Sequence, residues 1–192
     1  MIIGIISYLP TGNLRERRKQ LLCDLLTQLS VMFPSTKILL VAQNYQQQDI
    51  NEIRVFSNVE IHTYSQLGLG GARNELKRLF LNTSFNQLVM FDDDCILTGD
   101  RIDGQLYEKE ISEHKNEIVF MHYPSLKMCC VPRSLYSQMP PFKEKYNTKQ
   151  MYEYLPNKHY VCVYPYTIDK SKLINGFETS TWKEDIRLKY LK

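Results

Sequence analysis

Residues 87–94 read Gln-Leu-Val-Met-Phe-Asp-Asp-Asp, an apolar run that ends in three consecutive acids. The apolar part, residues 88–91, has the length and composition of a strand buried on both faces. Three adjacent carboxylates repel one another, and their closeness is costly unless a cation or hydrogen-bond donors offset the charge. Mg²⁺ is commonly held by one or two carboxylates together with substrate phosphates. The stretch therefore predicts a buried strand that ends in a metal site. A helix N-cap or a solvated acidic turn is the alternative.

The chain before this stretch alternates between strand and helix patterns. Apolar, β-branched runs at residues 2–7, 37–42 and 59–63 predict three more strands. Leucines recur at helical spacing up to about Phe33, and a second helix is predicted from about Ala72 to Leu81. Such alternation produces a parallel sheet with right-handed crossovers. The predicted fold class is therefore α/β, a single Rossmann-like domain with a mostly parallel central sheet.

The strand ends are the first candidates for a functional site, because parallel sheets bind ligands at the carboxyl ends of their strands. The first strand ends at Ser7 and Tyr8, and the second ends at Gln43 and Asn44. The third leads into the turn before Gly68, and the fourth runs into the three aspartates. We expect these side chains to meet at one edge of the sheet.

A glycine-rich turn, Gly-Leu-Gly-Gly at residues 68–71, follows the third strand. Glycines allow positive φ and let backbone N–H groups approach an anion, and the start of a helix adds favourable partial charge. Gly71 is therefore a candidate ligand contact, and Arg73 either contacts a nucleotide or is a plain surface arginine. A dinucleotide fingerprint is the competing interpretation, but Arg73 stands where that motif needs glycine, and the turn follows the wrong strand.

Composition limits the classes of function. Of the 192 residues 43% are hydrophobic and 23% are charged, as in globular chains. No apolar run approaches the ~20 residues that cross a bilayer, so we expect a cytoplasmic protein without a membrane span. The five cysteines include no C-x-x-C pair, which favours reduced thiols over a zinc cage or disulfides.

The second half of the chain differs from the first in charge and aromatic content. Residues 1–104 carry ten basic and eleven acidic side chains, whereas residues 105–192 carry fourteen and ten, with ten of the 13 tyrosines. Lysines and tyrosines are interspersed between residues 143 and 158. Lys143 and Tyr146 are candidates to grip a phosphate and to stack on a ring of an acceptor, and a solvated loop is the alternative.

The rest of this half holds a predicted hairpin, residues 117–122 and 126–131, and a cluster near the C-terminus. Trp182 is a candidate to stack on a sugar or is a core residue. Glu184 or Asp185 is a candidate general base for an acceptor hydroxyl, and acidic capping of the last helix is the alternative.

Taken in order, these landmarks resemble those of GT-A glycosyltransferases, especially of family 2. The landmarks are Ser7-Tyr8-Leu9-Pro10, Gln43-Asn44, Gly70-Gly71-Ala72-Arg73-Asn74, Phe91-Asp92-Asp93-Asp94 and Trp182-Lys183-Glu184-Asp185. The resemblance covers residues 1–97 and then about the last dozen. It implies one glycosyltransferase domain, with a nucleotide-sugar-binding half at residues 1–97 and an acceptor-binding half at residues 98–192.

The resemblance also implies a role for each matching residue. The implied donor contacts are Ser7, Tyr8, Asn44, Gly71, Arg73, Asp92 and Asp93. Asp94 and Asp92 are implied to bind Mn²⁺ or Mg²⁺, and Asp185 or Glu184 is implied to be the base of an inverting reaction. Trp182, Tyr146 and Lys143 are left for the acceptor.

The implied partners are a nucleotide-sugar and an acceptor hydroxyl. A UDP-sugar is the first expectation for the donor, although Gln43-Asn44 stands where the family usually has an acidic residue that reads the base. The acceptor is either a glycan or a hydroxymethylated DNA base, the latter as in compact phage-type members. A nucleotidyltransferase and a non-catalytic nucleotide-sugar-binding module are the alternatives to glycosyl transfer.

Overall fold

A computed structural model describes residues 1–94, 104–120, 128–143 and 160–162. In chain order the strands are β1 (Ile2–Tyr8), β2 (Ile38–Gln43), β3 (Val59–Tyr64), β4 (Gln87–Asp92), β5 (Ile118–Phe120), β6 (Met128–Pro132) and β7 (Tyr160–Cys162). These described strands form one sheet of seven in the order β3-β2-β1-β4-β6-β5-β7. Strands from both halves of the sequence therefore share a single sheet.

The first four strands are mutually parallel, as the alternating pattern predicts. β1 lies between β2 and β4, and β3 pairs with the outer side of β2. β6 then pairs antiparallel with β4 and with β5, whereas β7 pairs parallel with β5. The prediction of an α/β fold with a mostly parallel sheet is confirmed.

Helices cover both faces of the sheet. They are α1 (Leu14–Met32), α2 (Gln47–Ile53), α3 (Gly68–Leu81), α4 (Gly104–Glu113) and α5 (Arg133–Gln138). One hydrophobic cluster contains side chains from α1, α2 and α4, and the other contains side chains from α3 and α5. None of the helices in the described ranges has the length and apolar content needed to cross a bilayer.

β1 contributes side chains to both hydrophobic clusters, because successive side chains of a strand point to opposite faces of the sheet. Ile3 and Ile5 pack with α1, whereas Ile2 and Ile6 pack with α3, and all four are buried. Between them Gly4 leaves room for α3, since a Cβ built there would lie 2.8 Å from a Leu76 methyl carbon. The strand is therefore apolar throughout, and its polar residues occur only where it ends.

Candidate functional site

Four strand ends meet at one edge of the sheet, as the sequence predicts. In the parallel registers Tyr8 of β1 lies opposite Gln43 of β2, and Gln43 lies opposite Tyr64 of β3. On the other side of β1, Ile6 lies opposite Asp92 of β4. The aspartate turn and the ends of the first three strands therefore line the same edge, which we call the carboxyl edge.

The middle aspartate of the turn is enclosed within the protein. Asp93 accepts a 2.6 Å hydrogen bond from Arg18 of α1 and a 2.5 Å bond from the hydroxyl of Ser7. The Ser7 hydroxyl also lies 2.6 Å from the phenol oxygen of Tyr45. Arg18, Ser7 and Asp93 are all buried. Ser7 and Asp93, two of the residues predicted to touch the donor, are thus hydrogen-bonded to each other, and they hold the turn against β1 and α1.

Burial has the largest effect on the pKa values of Asp93 and Tyr45. Burial raises the pKa of the Asp93 carboxyl, against the opposing effects of the Arg18 charge and the Ser7 hydrogen bond. Burial also raises the pKa of Tyr45, and the nearby Asp93 charge adds to that shift. The Tyr45 phenol therefore stays protonated at neutral pH.

Sequence reasoning missed Arg18, although the sequence carries a signal for it. Arg18 lies four residues after Leu14 and three or four before Leu21 and Leu22, so it falls on the apolar stripe of α1. A charged residue on a core-facing stripe needs a buried partner. Asp93 is that partner, 75 positions further along the chain.

The first aspartate of the turn is paired with an arginine of α3. Arg73 donates a 2.5 Å hydrogen bond to Asp92, and its other terminal nitrogen lies 3.4 Å from the sulfur of Met90. The Arg73 side chain is 3% exposed and that of Asp92 is 24% exposed. Arg73 is therefore not a surface arginine: it lies under the carboxyl edge and orients Asp92, which keeps a face toward solvent.

Asn44 ties together the loops that follow β1 and β2. It adopts a positive φ of 60°, a conformation that asparagine tolerates better than most residues. Its side-chain amide nitrogen donates to the backbone carbonyl of Leu9 at 2.6 Å, and its backbone carbonyl accepts from the Arg15 side chain at 3.1 Å. Arg15 is in turn ion-paired with Asp49 of α2. Asn44, predicted as a donor contact, thus stabilises the loops at the carboxyl edge.

The glycine-rich segment differs from its predicted form. It is not a turn before a helix that starts at Ala72, because α3 already begins at Gly68, whose φ is 69°. Gly71 lies in the first turn of α3 and is half-buried. The backbone N–H of Leu67, just before the helix, donates to the side-chain oxygen of Gln43 at 2.7 Å. The start of α3 is therefore attached to the end of β2, at the carboxyl edge.

The fit of a divalent metal can be tested on the residues present. Within the described ranges no group of three or more His, Cys, Asp or Glu side chains is arranged to hold a metal ion. Asp92 and Asp94 nevertheless supply two carboxylates at the carboxyl edge, and Asp94 is buried. Mg²⁺ usually takes one or two carboxylates and completes its shell with water and substrate phosphates. The donor set therefore suits a metal that arrives with a phosphorylated ligand rather than an all-protein metal cage.

Several predicted site residues lie outside the described part of the chain. These are Tyr146, Trp182, Glu184 and Asp185. Lys143 is described and exposed, and it directly follows the buried Phe142. Tyr8 is half-buried at the carboxyl edge.

Known proteins resemble the chain in structure. No protein-family model matches it, and no curated protein matches its sequence. A mannosyltransferase from Pyrobaculum calidifontis, solved in complex with GDP-Man and Mn²⁺, matches with a TM-score of 0.58 at 10% identity, covering 88% of this chain and 57% of that one. The galactosyltransferase LgtC, solved with donor and acceptor sugar analogs, matches with a TM-score of 0.52 at 10% identity, covering 80% and 63%.

A synthetase matches about as well as these two glycosyltransferases. CMP:2-keto-3-deoxy-manno-octonic acid synthetase in complex with CTP has a TM-score of 0.57 at 8% identity, and the match covers 97% of this chain and 96% of that one. The chain thus spans less than two thirds of these two glycosyltransferases but nearly all of the synthetase. Identities this low demonstrate the fold alone, and the predicted GT-A fold, that of nucleotide-diphospho-sugar transferases, is confirmed.

Proposed function

We propose that the chain is a metal-dependent glycosyltransferase that moves a sugar from a nucleotide-sugar donor to an acceptor hydroxyl. One observation carries this proposal: the Asp92–Asp94 turn lies at the carboxyl edge of four parallel strands, braced from below by Arg18 and Arg73. Ligands of open α/β sheets bind at that edge. Buried guanidinium groups beside two of the three acids lower the cost of keeping the turn together before a ligand arrives.

The described residues have three proposed roles: metal binding, contact with the donor and support of the turn. Asp92 and Asp94 hold the metal, and Tyr8, Gly71 and the exposed side of Asp92 face the donor. Ser7 and Asp93 keep the turn in its conformation. Mn²⁺ or Mg²⁺, when bound, offsets negative charge on the diphosphate. Arg73 has two roles in this proposal, since it orients Asp92 and adds positive charge beneath the nucleotide.

The proposed reaction is a single displacement with inversion. The acceptor oxygen attacks the anomeric carbon, the bond from that carbon to the diphosphate oxygen breaks, and the nucleoside diphosphate leaves with the bonding electrons. Asp185 or Glu184 takes the proton of the acceptor hydroxyl. The acceptor is a glycan or a hydroxymethylated DNA base, bound through the basic, tyrosine-rich second half that includes Tyr146 and Trp182.

A nucleotidyltransferase is the second candidate, and the near-complete match to a CTP-bound synthetase favours it. That reaction joins a nucleoside triphosphate to a sugar and releases pyrophosphate, whereas a glycosyltransferase releases a nucleoside diphosphate. Incubation with each substrate class and analysis of the released phosphate species separates the two. Pyrophosphate formed from a nucleoside triphosphate and a sugar would replace the first proposal with the second.

The donor site is tested by thermal unfolding with UDP-, CDP- and GDP-sugars, each with and without Mn²⁺. A ligand present at 100 times its Kd adds about 2.7 kcal/mol to the free energy of unfolding. For a chain of this size that raises Tm by about 5–10 °C. We expect the Mn²⁺-dependent part of the shift to disappear in Asp92→Asn and Asp94→Asn.

Asp24→Asn is the matched control, because Asp24 is an exposed aspartate of α1 that accepts a hydrogen bond only four residues away, from Gln20. It should keep the full shift. A wild-type protein that no nucleotide-sugar stabilises, with or without metal, would contradict the proposed function. A bound donor without turnover, in the presence of glycan and DNA acceptors, would instead indicate a binding module.

A further inference from the structure

Residues 133–142 of the second half run along α3 and are attached to it by hydrogen bonds between side chains and backbone. The side chain of Asn74 makes two bonds with the backbone of Phe142: its amide nitrogen donates to the carbonyl at 2.9 Å, and its oxygen accepts from the N–H at 2.7 Å. The Phe142 ring is buried beside Tyr136, with ring centroids 6.4 Å apart. The side chain and the backbone of Phe142 are thus both held in place.

Two further contacts give the direction of this segment. Arg133 donates to the carbonyl of Leu81 at the end of α3, and Lys77, one turn earlier in the helix, donates to the carbonyl of Met139. Asn74, nearly another turn earlier, holds Phe142. As the segment advances from residue 133 to 142, its partners move toward the start of α3. The chain is therefore directed toward the carboxyl edge, where α3 begins.

The remaining distance to that edge is short. Six residues separate Asn74 from Gly68, a rise of about 9 Å along the helix. An extended chain covers that distance in about three residues. Lys143 directly follows Phe142, whose backbone Asn74 holds, and it is exposed, so its four-carbon side chain extends from a residue next to this fixed point. Asn74 is also the neighbour of Arg73, which orients Asp92.

The charge at this edge explains what such a lysine would do. The guanidinium groups of Arg18 and Arg73 are already paired with Asp93 and Asp92, so a bound diphosphate needs further positive charge. A metal supplies part of that charge, and an ammonium group approaching from the open side supplies more. Asn74 cannot supply charge itself, but it fixes the backbone from which the lysine extends.

We propose that Asn74 is a positioning residue that, through the backbone of Phe142, places the Lys143 ammonium against the diphosphate of the bound nucleotide. This inference rests on the proposed function, because it assumes a diphosphate at the carboxyl edge. It assigns Lys143, predicted from sequence as an acceptor contact, to the donor instead.

The test is a double-mutant cycle measured by titration calorimetry with UDP, CDP and GDP in the presence of Mn²⁺. Loss of a charge-assisted phosphate contact in Lys143→Gln should raise the Kd about tenfold. Lys143→Arg keeps the charge and should restore most of the affinity. Asn74→Ala should raise the Kd by a smaller factor in the wild-type background and should have no effect in the Lys143→Gln background, because Asn74 acts only through the lysine.

Asn58→Ala is the matched control. Asn58 also uses its side-chain amide to hold a backbone carbonyl, that of Thr36 at 3.0 Å, but it lies at the start of β3, away from the carboxyl edge. It should leave the Kd unchanged. Trypsin cleavage after Lys143 provides a readout without ligand: it should be faster in Asn74→Ala than in Asn58→Ala.

The outcomes separate this inference from the function on which it rests. Wild-type protein that binds none of the three diphosphates contradicts both. Wild-type protein that binds one of them, together with an unchanged Kd in Lys143→Gln, overturns only the role of Lys143. Additive effects of Asn74→Ala and Lys143→Gln overturn the coupling between the two residues.

Discussion

The buried pair of Arg18 and Asp93 offers the sharpest test of how the aspartate turn is held. The two side chains are 2% and 3% exposed, and 2.6 Å separates the paired nitrogen and oxygen atoms. Arg18→Met keeps an unbranched side chain of similar length but removes the guanidinium, which leaves the Asp93 carboxylate buried without its ion-pair partner. Breaking a buried pair in this way costs about 3–5 kcal/mol.

The companion variants distinguish an ion pair from general packing. Asp93→Asn leaves the Arg18 charge buried and should also destabilise the protein. The double variant Arg18→Met with Asp93→Asn removes both charges and should lose less stability than the sum of the single variants. A coupling energy of about 0.5–3 kcal/mol is expected for residues in direct contact.

The loss in Arg18→Met should depend on pH. Burial already raises the pKa of Asp93, and removing the arginine raises it further because a compensating positive charge is gone. A carboxyl with a raised pKa in the folded state loses stability as pH rises above its unfolded value of about 3.9, by at most about 1.4 kcal/mol per pH unit. We therefore expect Arg18→Met to be more destabilised at pH 8 than at pH 5.

The measurement is urea unfolding followed by far-UV circular dichroism, with thermal unfolding as a second readout. A cost of this size lowers Tm by about 6–20 °C for a chain of this length. Arg54→Met, at an exposed arginine that follows α2, is the control and should change stability by less than about 0.5 kcal/mol. Equal stabilities of the two variants, or additive costs in the double variant, would refute the reasoning.

Two further predictions concern stability away from the turn. Asp49 is buried, which tends to raise its pKa, but hydrogen bonds from the Gln46 backbone and from Arg15 outweigh that effect and the pKa is lowered. The stability that Asp49 adds is thus complete above about pH 4 and is lost as pH falls through the lowered pKa. Asp49→Asn should therefore be less stable than wild type by about 1–3 kcal/mol at pH 7, and this difference should shrink toward pH 2. A difference in the free energy of unfolding by urea that does not change with pH would contradict this. Gly4→Ala should cost about 1–3 kcal/mol, because the new Cβ meets a Leu76 methyl carbon at 2.8 Å, and a melting temperature equal to that of wild type would show that α3 moves aside freely.

Much of the fold was predictable because hydrophobic periodicity is a local property of the sequence. The apolar runs of β1, β2 and β4 and the leucine stripe of α1 must be buried, and the structure buries them in the two hydrophobic clusters. The short helix α2 was missed. Its seven residues, QQDINEI, contain only two large apolar side chains, too few for a helical stripe to be recognised.

The start of α3 was misplaced for a different reason. Glycines at positions 68, 70 and 71 are poor helix formers, so local propensity favours a turn there. In the structure, the Gln43 side chain accepts the N–H of Leu67, and Gly70 and Ala72 pack in the interior against the sheet. Tertiary packing outweighs the weak local preference of these residues.

Local patterns in the sequence indicate which residues reach the carboxyl edge, since they show where the strands end, and parallel strands end at the same edge of a sheet. The partners of these residues follow from the folded packing: Arg18 pairs with Asp93, Arg73 pairs with Asp92, and Asn74 hydrogen-bonds to the backbone of Phe142. The physical reason is that a hydrogen bond depends on positions within a few tenths of an ångström and on direction, whereas burial depends only on area. Partners as far apart as 68 or 75 positions are joined by packing, and a single sequence does not indicate which of its 24 lysines and arginines will lie beside which acid.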